Sequence, residues 1–148
     1  IFTSAIVFFY FYAYNYSSQT EDMLSTLKYE ARLVSDSLLS EGYPSEWNST
    51  NVIQVGLISN KRINQTKLEM FYNLTQEDYN RTKSLLNTNY DYYFTADKKL
   101  NISEQEIEGI GKQGINKSNI NQSENLIKHT RLTIYRKKPL TIYVYVFK

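Results

Sequence analysis

Charge is missing from the start of this chain. Ile1 to Thr20 holds no Asp, Glu, Lys or Arg, and the first charged side chain is Glu21. Cysteine is missing throughout, which excludes a disulfide framework, a thiol nucleophile and a thiolate metal site. Histidine occurs once, as His129, and a lone His without Cys is no zinc ligand set. The 5 glycines and 2 prolines form no phosphate loop, and neither a nucleophile elbow nor a paired-His motif is present. Glu104, Glu106 and Glu108 alternate and read as a solvated acidic edge. The net charge of +2 is too small to argue for a nucleic-acid partner. The residues offer no active site, so the chain reads as a non-enzyme that needs no cofactor.

The charge-free start is filled instead by Ile1, Phe2, Ala5, Ile6, Val7, Phe8, Phe9, Tyr10, Phe11, Tyr12, Ala13, Tyr14 and Tyr16. Met23, Leu24, Leu27, Ala31, Val34, Leu38 and Leu39 then recur every three or four residues, one stripe of an amphipathic helix. No Gly or Pro interrupts the chain before Gly42-Tyr43-Pro44. The spacing predicts one helix over 1–42, with Gly42 as its left-handed C′ residue and Pro44 preventing restart. At about 1.5 Å per residue it would be roughly 60 Å long, about twice a hydrocarbon core. Residues 1–20 are expected to sit in a membrane or a bundle of like helices, and 21–42 to form a stem against a small domain. The basic residues of a leader are expected before Ile1.

About a hundred residues then remain for one headgroup, 43–148. Val52 to Ile58 reads as a strand, followed by a turn at Ser59 to Arg62. Asn64 can cap a short helix through Tyr72, and Thr75 with Asp78 resembles a capping box opening a second helix to Asn87. Tyr90 to Thr95 reads as another strand. Residues 97–125 are polar and read as a long excursion with one short strand near Ile107. Lys128 to Arg136 and Leu140 to Phe147 close the chain as a hairpin across Lys137-Lys138-Pro139. The fold class expected is α+β, a long N-terminal helix packed on a small antiparallel β-sheet headgroup with two short helices.

Asn-X-Ser/Thr, the acceptor motif for N-linked glycans, begins at Asn15, Asn48, Asn64, Asn73, Asn80, Asn101, Asn116 and Asn121. Chance predicts roughly two or three such motifs at this composition. The excess points to an exported surface coated with N-linked glycans, at Asn48, Asn64, Asn73, Asn80, Asn101, Asn116 and Asn121. Asn15 is expected to be the poorest acceptor, because it follows the aromatic run. Asn64 has a competing explanation as a helix cap.

The order of these pieces resembles the archaeal type IV pilins. The resemblance is carried by Ile63-Asn64-Gln65-Thr66-Lys67-Leu68-Glu69-Met70-Phe71-Tyr72-Asn73-Leu74 and Glu77-Asp78-Tyr79-Asn80-Arg81-Thr82-Lys83. It continues in Trp47 with Val55-Gly56-Leu57, the Tyr90 to Phe94 strand, Thr130-Arg131-Leu132, Pro139 and Tyr143-Val144-Tyr145-Val146. It implies a subunit that leaves the membrane to polymerise with copies of itself into an extracellular filament on the cell surface. The polymerisation surface would be Ile1, Phe2, Ile6, Val7, Phe8, Phe9, Phe11, Tyr12 and Tyr14, with the headgroup outward for adhesion. No acidic residue stands early in the apolar run, so the registration salt bridge of bacterial pilins is not implied. The alternative is a monomeric, membrane-anchored extracytoplasmic domain that binds a ligand through the 97–125 excursion.

Overall fold

A computed structural model describes residues 2–148, with side chains from Ala5 onward. The protein is α+β. Helix α1 (Phe2–Leu38) leads into a hairpin of β1 (Ile58–Ser59) and β2 (Arg62–Ile63). Helices α2 (Gln65–Glu77) and α3 (Tyr79–Leu85) follow, then strands β3 (Asp91–Ile102) and β4 (Gln105–Gly111). A 3-10 turn at Ile120–Gln122 precedes β5 (Ile127–Tyr135) and β6 (Lys138–Phe147). The main sheet has the order β4-β3-β6-β5, and every pairing in it is antiparallel.

Alternation on the strands creates the core. Tyr92, Phe94 and Ala96 of β3 and Leu140, Ile142, Val144 and Val146 of β6 are buried on one face. Helix α1 lies against β5 and β6, and α2 against β3. The stripe Leu27, Ala31, Val34 and Leu38 is fully buried in the same cluster, with Met23 and Leu39 packed at its margin. The opposite face carries a smaller cluster of Tyr93, Phe147 and Ile120. Residues 112–126 therefore fold back over that face through Ile120 and its neighbour Ile115.

Several expectations are corrected. Helix α1 stops at Leu38 rather than Gly42. The backbone carbonyls of Leu38 and Ser40 accept from the N–H groups of Leu57 and Ile58, at 2.8 and 2.9 Å. A returning segment, not a left-handed cap, thus serves the helix exit. Gly42 does have positive φ, +75°, but beyond the helix end and in a crowded crossing. A Cβ there would stand 2.7 Å from both the Gln54 carbonyl oxygen and the Trp47 ring.

The segment 52–58 is not a strand of the sheet. Val52, Val55 and Leu57 are buried, but apart from Ile58, which belongs to β1, the backbone bonds go to Asn48, Tyr43, Asn64 and the α1 exit. Its apolar spacing reflects burial alone. Thr75 does not open α3; it lies inside α2, and its hydroxyl donates to the Phe71 carbonyl at 2.7 Å. Asp78 is the N-cap, accepting from the Arg81 N–H at 2.9 Å. Asn64 caps α2 as expected.

About half of the excursion 97–125 is regular. Its first part completes β3 and forms β4, which leaves 112–126 as the irregular connection. Polar residues fill these strands because their outer edge faces solvent, which weakens the period-2 signal. The β5–β6 turn falls at Arg136 and Lys137, with φ of 50° and 64°, a two-residue hairpin of the I′ kind.

Candidate functional site

From Ala5 to Gln19 every side chain of α1 is exposed. The headgroup covers the helix only from about Met23 onward, where the apolar stripe narrows to one face. Before that point the apolar residues occupy all sides, because Ile6 to Tyr12 form an unbroken run. Phe8, Phe9 and Tyr10 expose 74, 75 and 77% of their surface. Ile6, Val7, Phe11, Tyr12 and Tyr14 are exposed to a similar degree. Ile1 and the Phe2 side chain lie outside the described residues. So large a bare apolar surface is rare on a soluble monomer and marks an interaction site.

Ile6, Val7, Tyr10, Phe11 and Tyr14 flank a shallow apolar furrow along one side of this helix. Among the described residues nothing else of the chain lines it. Ridges and grooves of this type are what one helix offers to another. Among the described residues no helix is long and apolar enough to cross a membrane. Tyr10, Tyr12, Tyr14 and Tyr16 set four hydroxyls along the run.

The acceptor motifs fall into distinct environments. Asn48 Oδ1 accepts from the Thr50 N–H at 2.9 Å, the Thr50 hydroxyl at 2.6 Å and the Asn51 N–H at 3.2 Å. Asn116 Oδ1 repeats the pattern with the Ser118 N–H at 2.9 Å, the Ser118 hydroxyl at 2.5 Å and the Asn119 N–H at 3.1 Å. Both turns use the amide oxygen and leave the nitrogen, the atom a glycan would take. Asn64 Oδ1 accepts from the Lys67 N–H at 3.1 Å in the α2 cap, which also uses only the amide oxygen. Asn73 and Asn80 are exposed on helices, but their motif partners Thr75 and Thr82 are buried. Asn101 is half-buried on β3, and Asn121 is exposed on the 3-10 turn. Asn15 is exposed on the projecting helix.

Polar groups inside the headgroup lock elements together. The Tyr92 hydroxyl is buried and shares hydrogen bonds with Thr82 at 2.7 Å and Thr75 at 3.4 Å. Burial pushes its pKa up to about 12. Asp91 accepts from Lys112 at 2.5 Å, Tyr79 at 3.2 Å and Lys83 at 3.3 Å. Partial burial opposes its ionisation, but the two ammonium groups outweigh it and hold the carboxyl below its usual range. The Lys67 ammonium is buried and donates to the carbonyls of Glu41 at 2.8 Å and Ile58 at 3.0 Å. It ties α2 to the exit of α1, a role that helical spacing alone did not single out.

Among the depressions of the headgroup, two are large. One, of about 530 Å³, runs between α1 at Leu33 and Asp36, the Ile53-Gln54 segment and the end of α3. The other, of about 480 Å³, opens between the β3–β4 hairpin and the start of β6. Among the described residues no group of His, Asp and Glu side chains is placed to hold a metal ion. Glu106 and Glu108 lie on β4, and Glu104 lies in the turn before it. Comparison with family models, curated proteins and solved structures finds no match to this chain.

Proposed function

We propose that the chain is a structural subunit of an extracellular filament of the type IV pilus kind, polymerising through its N-terminal helix. One observation carries this reading: Ile6 to Tyr16 is bare and apolar on every side, while the headgroup packs only against the later half of the same helix. A surface apolar all round needs cover all round. Copies of the same helix can supply it, and a heterologous head-to-tail contact between them builds an open helical polymer.

Before assembly, the run would lie in the membrane with Tyr10, Tyr12, Tyr14 and Tyr16 near the water boundary, where amphipathic rings settle. In the filament those rings fill the core, and their hydroxyls find partners on neighbouring helices. The headgroup faces outward, coated by N-linked glycans and available for adhesion. This reading assigns no catalysis and no cofactor.

The test is a chain beginning at Glu21. It keeps Met23 and the buried stripe from Leu27 to Leu38, so it is expected to fold and stay monomeric in sedimentation. The full chain is expected to assemble or to require detergent. Fibres from the shortened chain would place polymerisation in the headgroup and end the reading. Unfolding of the shortened chain would show that the aromatic half belongs to the headgroup core.

A further inference from the structure

We propose that the cleft between the β3–β4 hairpin and the start of β6 binds an anionic polysaccharide. The ladder between β3 and β6 ends at Ala96 and Ile142, although β3 runs on to Ile102. The two strands part there, and Asp97 Oδ1 accepts from the Thr141 N–H at 3.2 Å at the fork. The cleft of about 480 Å³ opens beyond it.

Its charge is predominantly positive. Lys98, Lys99, Arg136 and Lys138 line it together with the carboxylate of Glu106, and Asp97 stands at the fork. Lys99 pairs with Glu106 at 3.3 Å. Lys98, Arg136 and Lys138 form no ion pair among the described residues. Three uncompensated cations therefore share one opening, and a concave site of one sign concentrates the opposite sign. The Arg136 guanidinium lies 5.4 Å from the centre of the Tyr135 ring, within cation–π range, and its N–H fork can hold an oxyanion.

The lining also chooses among polyanions. Single-stranded nucleic acid is held by exposed aromatic platforms. Tyr135 is the one aromatic residue in this lining and is only 8% exposed. Cations beside the Asn101 amide suit sulfate or carboxylate groups and sugar hydroxyls instead. Position agrees with an outward-facing site. The Gln65 side chain bonds both the Asn101 carbonyl and the Tyr135 hydroxyl, at 2.6 and 2.7 Å. Lys67, two residues on, reaches the α1 exit. The cleft thus lies at the headgroup end where α1 stops, away from the bare aromatic run. It exists whether or not that run polymerises. A glycan on Asn101 would stand in the same space, so the site requires Asn101 to be bare.

The test uses the full chain in neutral detergent, produced without glycosylation and titrated calorimetrically with dextran sulfate, unsulfated dextran and a single-stranded DNA oligomer. Saturable binding of dextran sulfate that weakens with salt is expected, with none of unsulfated dextran. Combined Lys98→Gln, Arg136→Gln and Lys138→Gln should weaken it about tenfold. The matched triple Lys28→Gln, Lys128→Gln and Lys148→Gln should leave it within about twofold. Lys98→Gln and Lys138→Gln made singly should each give part of the loss, so the claim stands or falls even if the triple misfolds. Equal loss in both triples would overturn the site, as would no binding. Tighter binding of the DNA would overturn the polysaccharide assignment, and so would native protein carrying a glycan on Asn101.

Discussion

Gly56 is the residue where a single carbon atom decides most. A Cβ there would lie 2.1 Å from the Gly42 nitrogen and 2.4 Å from the Ser40 carbonyl oxygen, both backbone atoms. The chain crosses itself there, and no side chain can move aside to make room. Gly56→Ala is expected to cost about 3 kcal/mol and to lower Tm by on the order of 10 °C; an unchanged Tm would contradict the crossing. The buried tyrosines support a second expectation. Tyr92 and Tyr93 are raised from the ordinary 10.0 to about 12, chiefly by burial. The folded state therefore favours their neutral form. Stability should be level below pH 10 and fall between pH 10 and about 12, as the unfolded phenols ionise first. Ultraviolet titration should find phenols ionising near 12 in the folded chain that ionise near 10 in denaturant. Identical titrations would mean that these rings are not buried.

Elements were legible where burial and backbone pairing coincide. The stripe of α1, the Asn64 cap and the closing hairpin could be read because side-chain period and hydrogen bonding point the same way there. The segment 52–58 misled because its apolar residues are buried by the α1 exit, while its backbone pairs with no strand of the sheet. Strand β4 was legible near Ile107 but not to its full extent, because Glu106 and Glu108 sit where one face is wet. Thr75 and Thr82 belong to acceptor motifs, yet both are buried around the Tyr92 hydroxyl. Packing accounts for two of the motif threonines, and part of the excess of motifs was therefore core chemistry. The turns at Asn48 and Asn116 differ, since each holds the motif hydroxyl on its own amide oxygen. Glycopeptide mass analysis of native protein should find sugars at these two asparagines and a bare Asn101. Thr50→Ala and Ser118→Ala should each remove one glycan and leave folding stability within about 0.5 kcal/mol of the parent, because both hydroxyls lie at the surface. Native mass equal to the bare 17.4 kDa polypeptide would remove the glycan coat from the account.

At the scale of the whole molecule, one helix has a bare half and a sheltered half. Its 37 residues span about 55 Å at 1.5 Å per residue, and the headgroup shelters only the later part. Sequence made this division visible, because charge begins at Glu21 and the apolar pattern narrows from all sides to one. It could not reveal the cleft at the other end of the headgroup, whose lysines come together only when β3 parts from β6. The measurement that tests the central claim most directly is electron imaging of the full chain after removal of detergent, carried to side-chain detail. The account predicts helical filaments with Ile6 to Tyr16 of many copies packed about the axis and headgroups outside. Dispersed monomers, or filaments with the aromatic half of α1 on the outer surface, would contradict it.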